Sequence, residues 1–85
     1  MKWYIYIVEC KDGSLYTGVT TDLTRRELEH NTSNDLGAKS LRGKRPVKMV
    51  YSELYKTQSE ALKREAKIKR WTKEFKLKLI KRTTM

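Results

Sequence analysis

Apolar residues dominate positions 3 to 10, where Trp3, Tyr4, Ile5, Tyr6, Ile7, Val8 and Cys10 are interrupted only by Glu9. A run so rich in Ile, Val and Tyr has no polar face, so it predicts a strand covered on both sides and central in a sheet. Lys11-Asp12-Gly13-Ser14 breaks the pattern with turn-forming residues, and Leu15-Tyr16-Thr17-Gly18-Val19 reads as a second strand. The length of the turn decides which side chains share a face. A two-residue Asp12-Gly13 turn would pair Glu9 with Tyr16 and send Tyr6 and Tyr16 to opposite faces, because side chains alternate. A three-residue turn with Gly13 left-handed, as a bulge, pairs Cys10 with Ser14 and Tyr6 with Gly18, and keeps both tyrosines on one face. The second arrangement is the expectation if the two tyrosines serve one site.

Thr21 and Asp22 offer helix caps, and Asp22 to His30 reads as a short first helix carrying Leu23 and Leu28, marginal alone and obliged to dock. Asn31 to Arg45 is polar, contains Gly37 and Gly43 and shows no periodicity, which predicts a mobile loop. Pro46 opens a third strand, Val47 to Glu53, where Val47, Met49 and Tyr51 alternate with Lys48 and Val50. Thr57-Gln58-Ser59-Glu60 has the form of a capping box and starts a helix that runs to about Arg70. Ile68, Trp71, Phe75 and Leu79 recur at spacings of three and four, with a break into two helices expected at Thr72. The order β-β-α-β-α-α predicts an α+β fold: a small three-stranded antiparallel sheet flanked by helices, first strand central, with residues 1–85 as a single domain.

A hydrophobic share of 38% excludes a disordered tail. No apolar run approaches the roughly 20 residues of a membrane span. The N-terminal run has one basic residue and no small-residue cleavage site, so it reads as a strand rather than a signal peptide and implies a cytoplasmic location. Cys10 is the single cysteine, which leaves no cysteine cluster for zinc and suggests a buried thiol. Charge adds a partner. Twenty Lys and Arg against ten Asp and Glu give +10, and the span from Lys63 to Arg82 holds ten cations and two anions. That density favours phosphate, with a solvated helical surface and an anionic lipid surface as the alternatives.

Glu65 follows Ala61 by four and precedes Ile68 by three, so helical spacing turns it toward the apolar face. A carboxylate there needs a partner, since an unpaired buried charge costs several kcal/mol. A salt bridge to Arg64 or Lys69, an edge position beside solvent, and a metal ion all satisfy that need. Arg26 and His30 are four apart on the first helix, as a phosphate clamp and a nearby acid/base group would be. Taken singly, an ion pair of Arg26 with Asp22 or Glu29, and a His30 placed against the helix dipole, are the readier accounts of the two residues. Tyr4, Tyr6 and Tyr16 by themselves read as core residues with hydroxyls turned to partners.

Taken in order, the features say more. Tyr4-Ile5-Tyr6, Tyr16-Thr17-Gly18, Arg26 ten residues after Tyr16, His30 with Asn31 beside it, and Glu65 in Glu-Ala-Lys-Ile-Lys resemble the pattern of the GIY-YIG nuclease superfamily. The likeness covers nearly the whole chain and is nearest to the short bacterial members, a branch that Gly37-Ala38-Lys39 and Arg45-Pro46 also match. Tyr4 stands where the name has Gly and Thr17 where it has Ile. Glu27 takes a position where an apolar residue is expected, with Leu28 as the compensating side chain, and Ser40-Leu41 replaces a frequent aromatic-Thr pair.

The resemblance implies a metal-dependent endonuclease hydrolysing DNA phosphodiester bonds, branched or damaged forms included, as in DNA repair, with DNA favoured over RNA. It implies one Mg2+ or Mn2+ ion on Glu65, a single carboxylate being sufficient for an ion that keeps many waters. Arg26 would neutralise the scissile phosphate, and Tyr16 would orient or deprotonate the attacking water. A phenol with an ordinary pKa of about 10 is a weak base, so that role needs help from the metal or Arg26. Tyr6 and His30 would provide support and proton handling. Lys39, Arg42, Lys44 and Arg45 in the loop, and Lys63, Lys67, Arg70 and Lys73 in the C-terminal helices, would grip nucleic acid. A chain of this length implies specificity that is either poor or supplied by a protein partner. The alternatives are a nucleic-acid-binding module without useful catalysis, and a basic protein of membrane surfaces or ribosomes whose tyrosines are core.

Overall fold

The computed structural model describes residues 2–83. Strands β1 (Trp3–Glu9) and β2 (Leu15–Thr20) are followed by helix α1 (Leu23–Thr32), a 3-10 helix (Lys39–Lys44), strand β3 (Lys48–Tyr55), and helices α2 (Gln58–Lys69) and α3 (Lys73–Thr83). The sheet is antiparallel in the order β2-β1-β3, so the first strand is central and the expected α+β architecture is the observed one. The apolar run has a two-sided burial to match. Ile5 and Ile7 pack with Tyr51, Ala61 and Ile68 on one face, while Tyr6 and Val8 pack with Cys10, Leu41 and Val47 on the other.

The β1–β2 turn has three residues. Gly13 sits at φ 87°, a left-handed conformation that costs glycine nothing. The Gly13 amide donates to the Cys10 carbonyl at 2.9 Å, the Cys10 amide to that of Ser14 at 2.8 Å. Asp12 fixes the corner by accepting the amide and hydroxyl of Ser14 at 2.9 and 2.6 Å. Tyr6 then pairs with Gly18 and Val8 with Tyr16, which puts Tyr6 and Tyr16 on one face. Thr17, on the opposite face, is buried with no hydrogen-bond partner for its hydroxyl among the described residues, as at a position suited to an apolar side chain.

Three features depart from expectation. The alternation in β3 is broken: Ile7 pairs with Tyr51 but Val8 with Met49, so Val50 is an extra residue in a bulge. Met49 therefore packs on the Tyr6 side and Tyr51 on the Ile5 side, rather than sharing a face. Glu27 accepts the Met49 amide at 2.6 Å beside the bulge, which explains a carboxylate at that place in α1. Leu28 does not fill the core in its stead and is 61% exposed. Finally, the segment between α1 and β3 is not loop throughout, because Leu41 is buried and anchors the 3-10 helix. The caps behave as the sequence implies. Asp22 accepts from the Arg25 amide, Thr57 from the Glu60 amide and Thr72 from the Phe75 amide, and this last marks the break between α2 and α3.

Candidate active site

Tyr6 is the centre of a buried polar cluster. Its hydroxyl lies 2.7 Å from His30 Nε2 and accepts the Arg26 Nε proton at 3.3 Å. His30 is fully buried, and its Nδ1 accepts the Ala38 amide at 3.2 Å. An accepting Nδ1 carries no proton, so the neutral ring is protonated on Nε2 and donates to the Tyr6 oxygen. That oxygen thus receives two N–H donors, and its own proton is aimed at a third direction. Burial pushes the Tyr6 hydroxyl up to about 12, with the Arg26 bond opposing, so at neutral pH it keeps its proton. Burial first, then the Arg26 charge, pushes His30 down to about 4 and keeps it neutral.

Gly18 makes room for this arrangement. A Cβ there would meet Tyr6 Oη at 2.5 Å and Cζ at 2.7 Å, and the ring has no space to retreat because Tyr6 is 1% exposed. Gly18→Ala is expected to cost roughly 1–3 kcal/mol in urea unfolding and to displace Tyr6 from His30. Unchanged stability would show that the ring yields. Tyr16 is half-buried and meets the His30 ring edge-on, centroids 5.5 Å apart, at 6.5 Å from the Tyr6 ring.

Arg26 also binds Glu29 at 3.0 Å and the Leu36 carbonyl at 2.6 Å through Nη1. Its Nη2 makes no hydrogen bond among the described residues, which leaves one edge of the fork for an anion. Glu65 projects from α2 between the fully buried Ala61 and Ile68, and its side chain is 17% exposed. Arg64 is taken by Glu53, whose carboxylate it grips at 2.9 and 3.1 Å and which also accepts the hydroxyls of Tyr51 and Tyr55. Glu65 is left with the exposed Lys69 at 3.6 Å, and its charge contributes to the upward push on Tyr6. Among the described residues no three His, Cys, Asp or Glu side chains cluster, so a dedicated metal cage is absent there. A single half-shielded carboxylate still suits magnesium or manganese, which keep most of their shell as water and substrate oxygen.

The candidate phosphate-binding cations divide into two sets. Lys63, Lys67 and Arg70 are exposed on one face of α2, and Lys73 reaches the hairpin at Gly13. Lys39, Arg42 and Lys44 lie on the 3-10 helix, where Arg42 binds the Asn34 carbonyl. Arg45 is structurally committed: it donates to the carbonyls of His30 at 2.6 Å and Ser33 at 2.8 Å and to Asn34 Oδ1 at 3.2 Å. Two supports stood in the sequence only as parts of the resemblance, with no role attached. The Ala38 amide fixes the His30 tautomer, and the Asn31 side chain binds both the amide and carbonyl of Val47, at 2.7 and 3.0 Å.

A neutral buried histidine makes stability depend on acid. Between about 6.5 and 4 the unfolded chain takes a proton on His30 that the folded chain refuses, so stability present above this window is lost as pH falls through it. The loss should reach about 3 kcal/mol. Urea unfolding at either end of the window should show it in the wild-type chain and not in His30→Gln; equal slopes would mean that His30 is not held neutral. Glu53, held below the usual carboxylate range chiefly by Arg64 against its own burial, adds its loss at lower pH.

The model of the GIY-YIG catalytic domain matches residues 2–78, and the chain belongs to that family. Within it the chain is similar to the UPF0213 protein of Staphylococcus saprophyticus, 56% identical over 79 residues covering 93% of this chain and 94% of that protein. The UPF0213 protein of Staphylococcus epidermidis is 53% identical with the same coverage. Among solved structures, the solution structure of the UPF0213 protein of Bacillus halodurans is 38% identical, with TM-score 0.62 over 98% of this chain and 86% of that one. A protein of E. faecalis is 43% identical, with TM-score 0.64 over 95% and 84%. No helix among the described residues is long and apolar enough to cross a membrane.

Proposed function

We propose that this chain is a metal-dependent endonuclease that hydrolyses phosphodiester bonds in DNA, with branched or damaged duplexes among its substrates. The observation that carries the reading is the convergence of Tyr6, Tyr16, Arg26 and His30 from three elements on one point that also feels the charge of Glu65. Arg26 uses its open fork edge on the scissile phosphate, where negative charge grows as the attacking water adds. Tyr6 does not act as the base, because its oxygen already accepts two N–H groups and its proton is held up to about 12. Its free O–H direction makes it a donor to a substrate or water oxygen. The partly exposed Tyr16 is then the phenol that orients the attacking water. Glu65 would hold the magnesium or manganese ion, which when bound stabilises charge on the phosphate and the leaving oxygen. His30 positions Tyr6, since both its nitrogens are engaged within the fold.

A cytoplasmic setting and a protein partner supplying specificity belong to the same proposal. The ion pair between Glu65 and Lys69 favours a second reading, a binding module that lacks catalysis. Incubation with supercoiled plasmid and with branched DNA, with and without magnesium or manganese, separates the two. Metal-dependent nicking supports the nuclease; binding without cleavage under every condition supports the module.

A further inference from the structure

On the sheet face opposite the tyrosines, α2 and α3 enclose a cleft of about 260 Å³ lined by Arg64, Trp71, Phe75, Lys78, Leu79 and Arg82. Trp71 and Leu79 pack their inner sides on the Ile5–Ile7 core. Phe75 does not share that burial. It leans on Trp71 with ring centroids 4.8 Å apart and stays 55% exposed. Arg64 covers the Trp71 ring at 5.2 Å while its charge is matched by Glu53. Lys78 and Arg82 make no ion pair or hydrogen bond among the described residues, so the rim of an aromatic cleft carries two uncompensated cations.

Exposed aromatic faces flanked by unpaired cations complement one kind of ligand in particular: flat rings joined by phosphates. We infer that this cleft is a second nucleic-acid contact, in which an unpaired base stacks on Phe75 and the neighbouring phosphates lie against Lys78 and Arg82. The inference rests on the nucleic-acid reading above and adds to it a preference for substrates with an unpaired stretch, gripped away from Tyr6 and Glu65. Stacking accepts any base, so the cleft contributes affinity for strand state rather than for sequence.

Binding of a fluorescent oligothymidylate, a polymer of abasic deoxyribose phosphates of equal length, and a duplex is measured with chelator present, so that no cleavage or metal is needed. The oligothymidylate should bind more tightly than the abasic polymer. Phe75→Ala should weaken it on the order of tenfold and leave the duplex unchanged, and Phe75→Trp should restore it. In a Trp3→Phe background, where Trp71 is the remaining tryptophan, the oligothymidylate should quench emission and the abasic polymer should not. Thermal unfolding of each variant verifies that it is folded. Equal affinity for base-bearing and abasic polymers, or a Phe75→Ala loss shared equally by the duplex, overturns the cleft as a base site while the nuclease reading stands. Quenching of Trp71 by an acidic amphipathic peptide but not by the oligothymidylate overturns it in favour of a protein partner. Failure to bind any nucleic acid overturns both.

Discussion

Replacing Glu65 by Gln should lower metal-dependent DNA cleavage by at least the roughly 100- to 1,000-fold that follows loss of one transition-state electrostatic contact, while DNA binding persists. The substitution keeps size and hydrogen-bonding capacity and removes only the charge that a cation needs. Its structural cost is small, because the partner lost is Lys69 at 3.6 Å, an ion pair half open to solvent and spaced one helical turn away. Such pairs contribute about 0.3–0.5 kcal/mol, so thermal stability without metal should hold, or rise as an ill-placed carboxylate is relieved. Arg26→Ala and Tyr16→Phe should lose cleavage in the same way. Arg26→Ala will also lose stability, since its guanidinium ties Tyr6, Glu29 and the Leu36 carbonyl together. Glu65→Gln is therefore the cleaner variant. A folded Glu65→Gln protein that cuts DNA as fast as wild type under magnesium ends the mechanism proposed here.

Affinity for duplex DNA should collapse with salt. The exposed Lys63, Lys67, Arg70 and Lys73, with Lys39 and Lys44 of the 3-10 helix, give about six phosphate contacts, so affinity should fall roughly a thousandfold between about 50 and 200 mM salt. Arg45 is left out of that number because three oxygens of the protein already hold it. Anisotropy titrations across the salt range measure the slope. Lys63→Gln and Lys67→Gln should each reduce it by about one unit, whereas Arg45→Gln should lower stability instead. A flat dependence, or tight binding to anionic vesicles with none to DNA, would transfer the basic surface to a lipid role.

Much of this site could be read from local rules. The three-residue turn was singled out by the shared site that the resemblance implies for Tyr6 and Tyr16, and Gly13 adopts the conformation that turn needs. Helical spacing alone turned Glu65 inward, and the hydroxyl and carboxyl caps located three helix starts. What the pattern hid was decided by contacts far apart in the chain. The bulge at Val50 stands beside the bond from Met49 to Glu27, 22 positions earlier, and no period within β3 records that bond. Leu28 looked like a core residue because it is leucine, yet Glu27 and Asn31 occupy the side of α1 that meets β3. The 3-10 helix depends on Leu41 finding the Tyr6 side of the sheet, which composition does not reveal.

The way α1 is attached has a further consequence. Its single fully buried residue is His30, and it is fastened to the sheet by the bonds of Arg26, Glu27, His30 and Asn31 together with the apolar packing of one partly buried leucine, Leu23. Lifting this helix away breaks several hydrogen bonds, frees Leu23 and uncovers part of the Tyr6 ring, less surface than unfolding of the whole chain exposes, and the response to urea scales with the surface uncovered. Amide exchange in α1 should therefore proceed through an opening whose free energy depends less steeply on urea than global unfolding does, while the amides of β1 open only with the whole molecule. The helix that carries Arg26 is thus a separately releasable part, and the site can come apart while the sheet behind it stays intact.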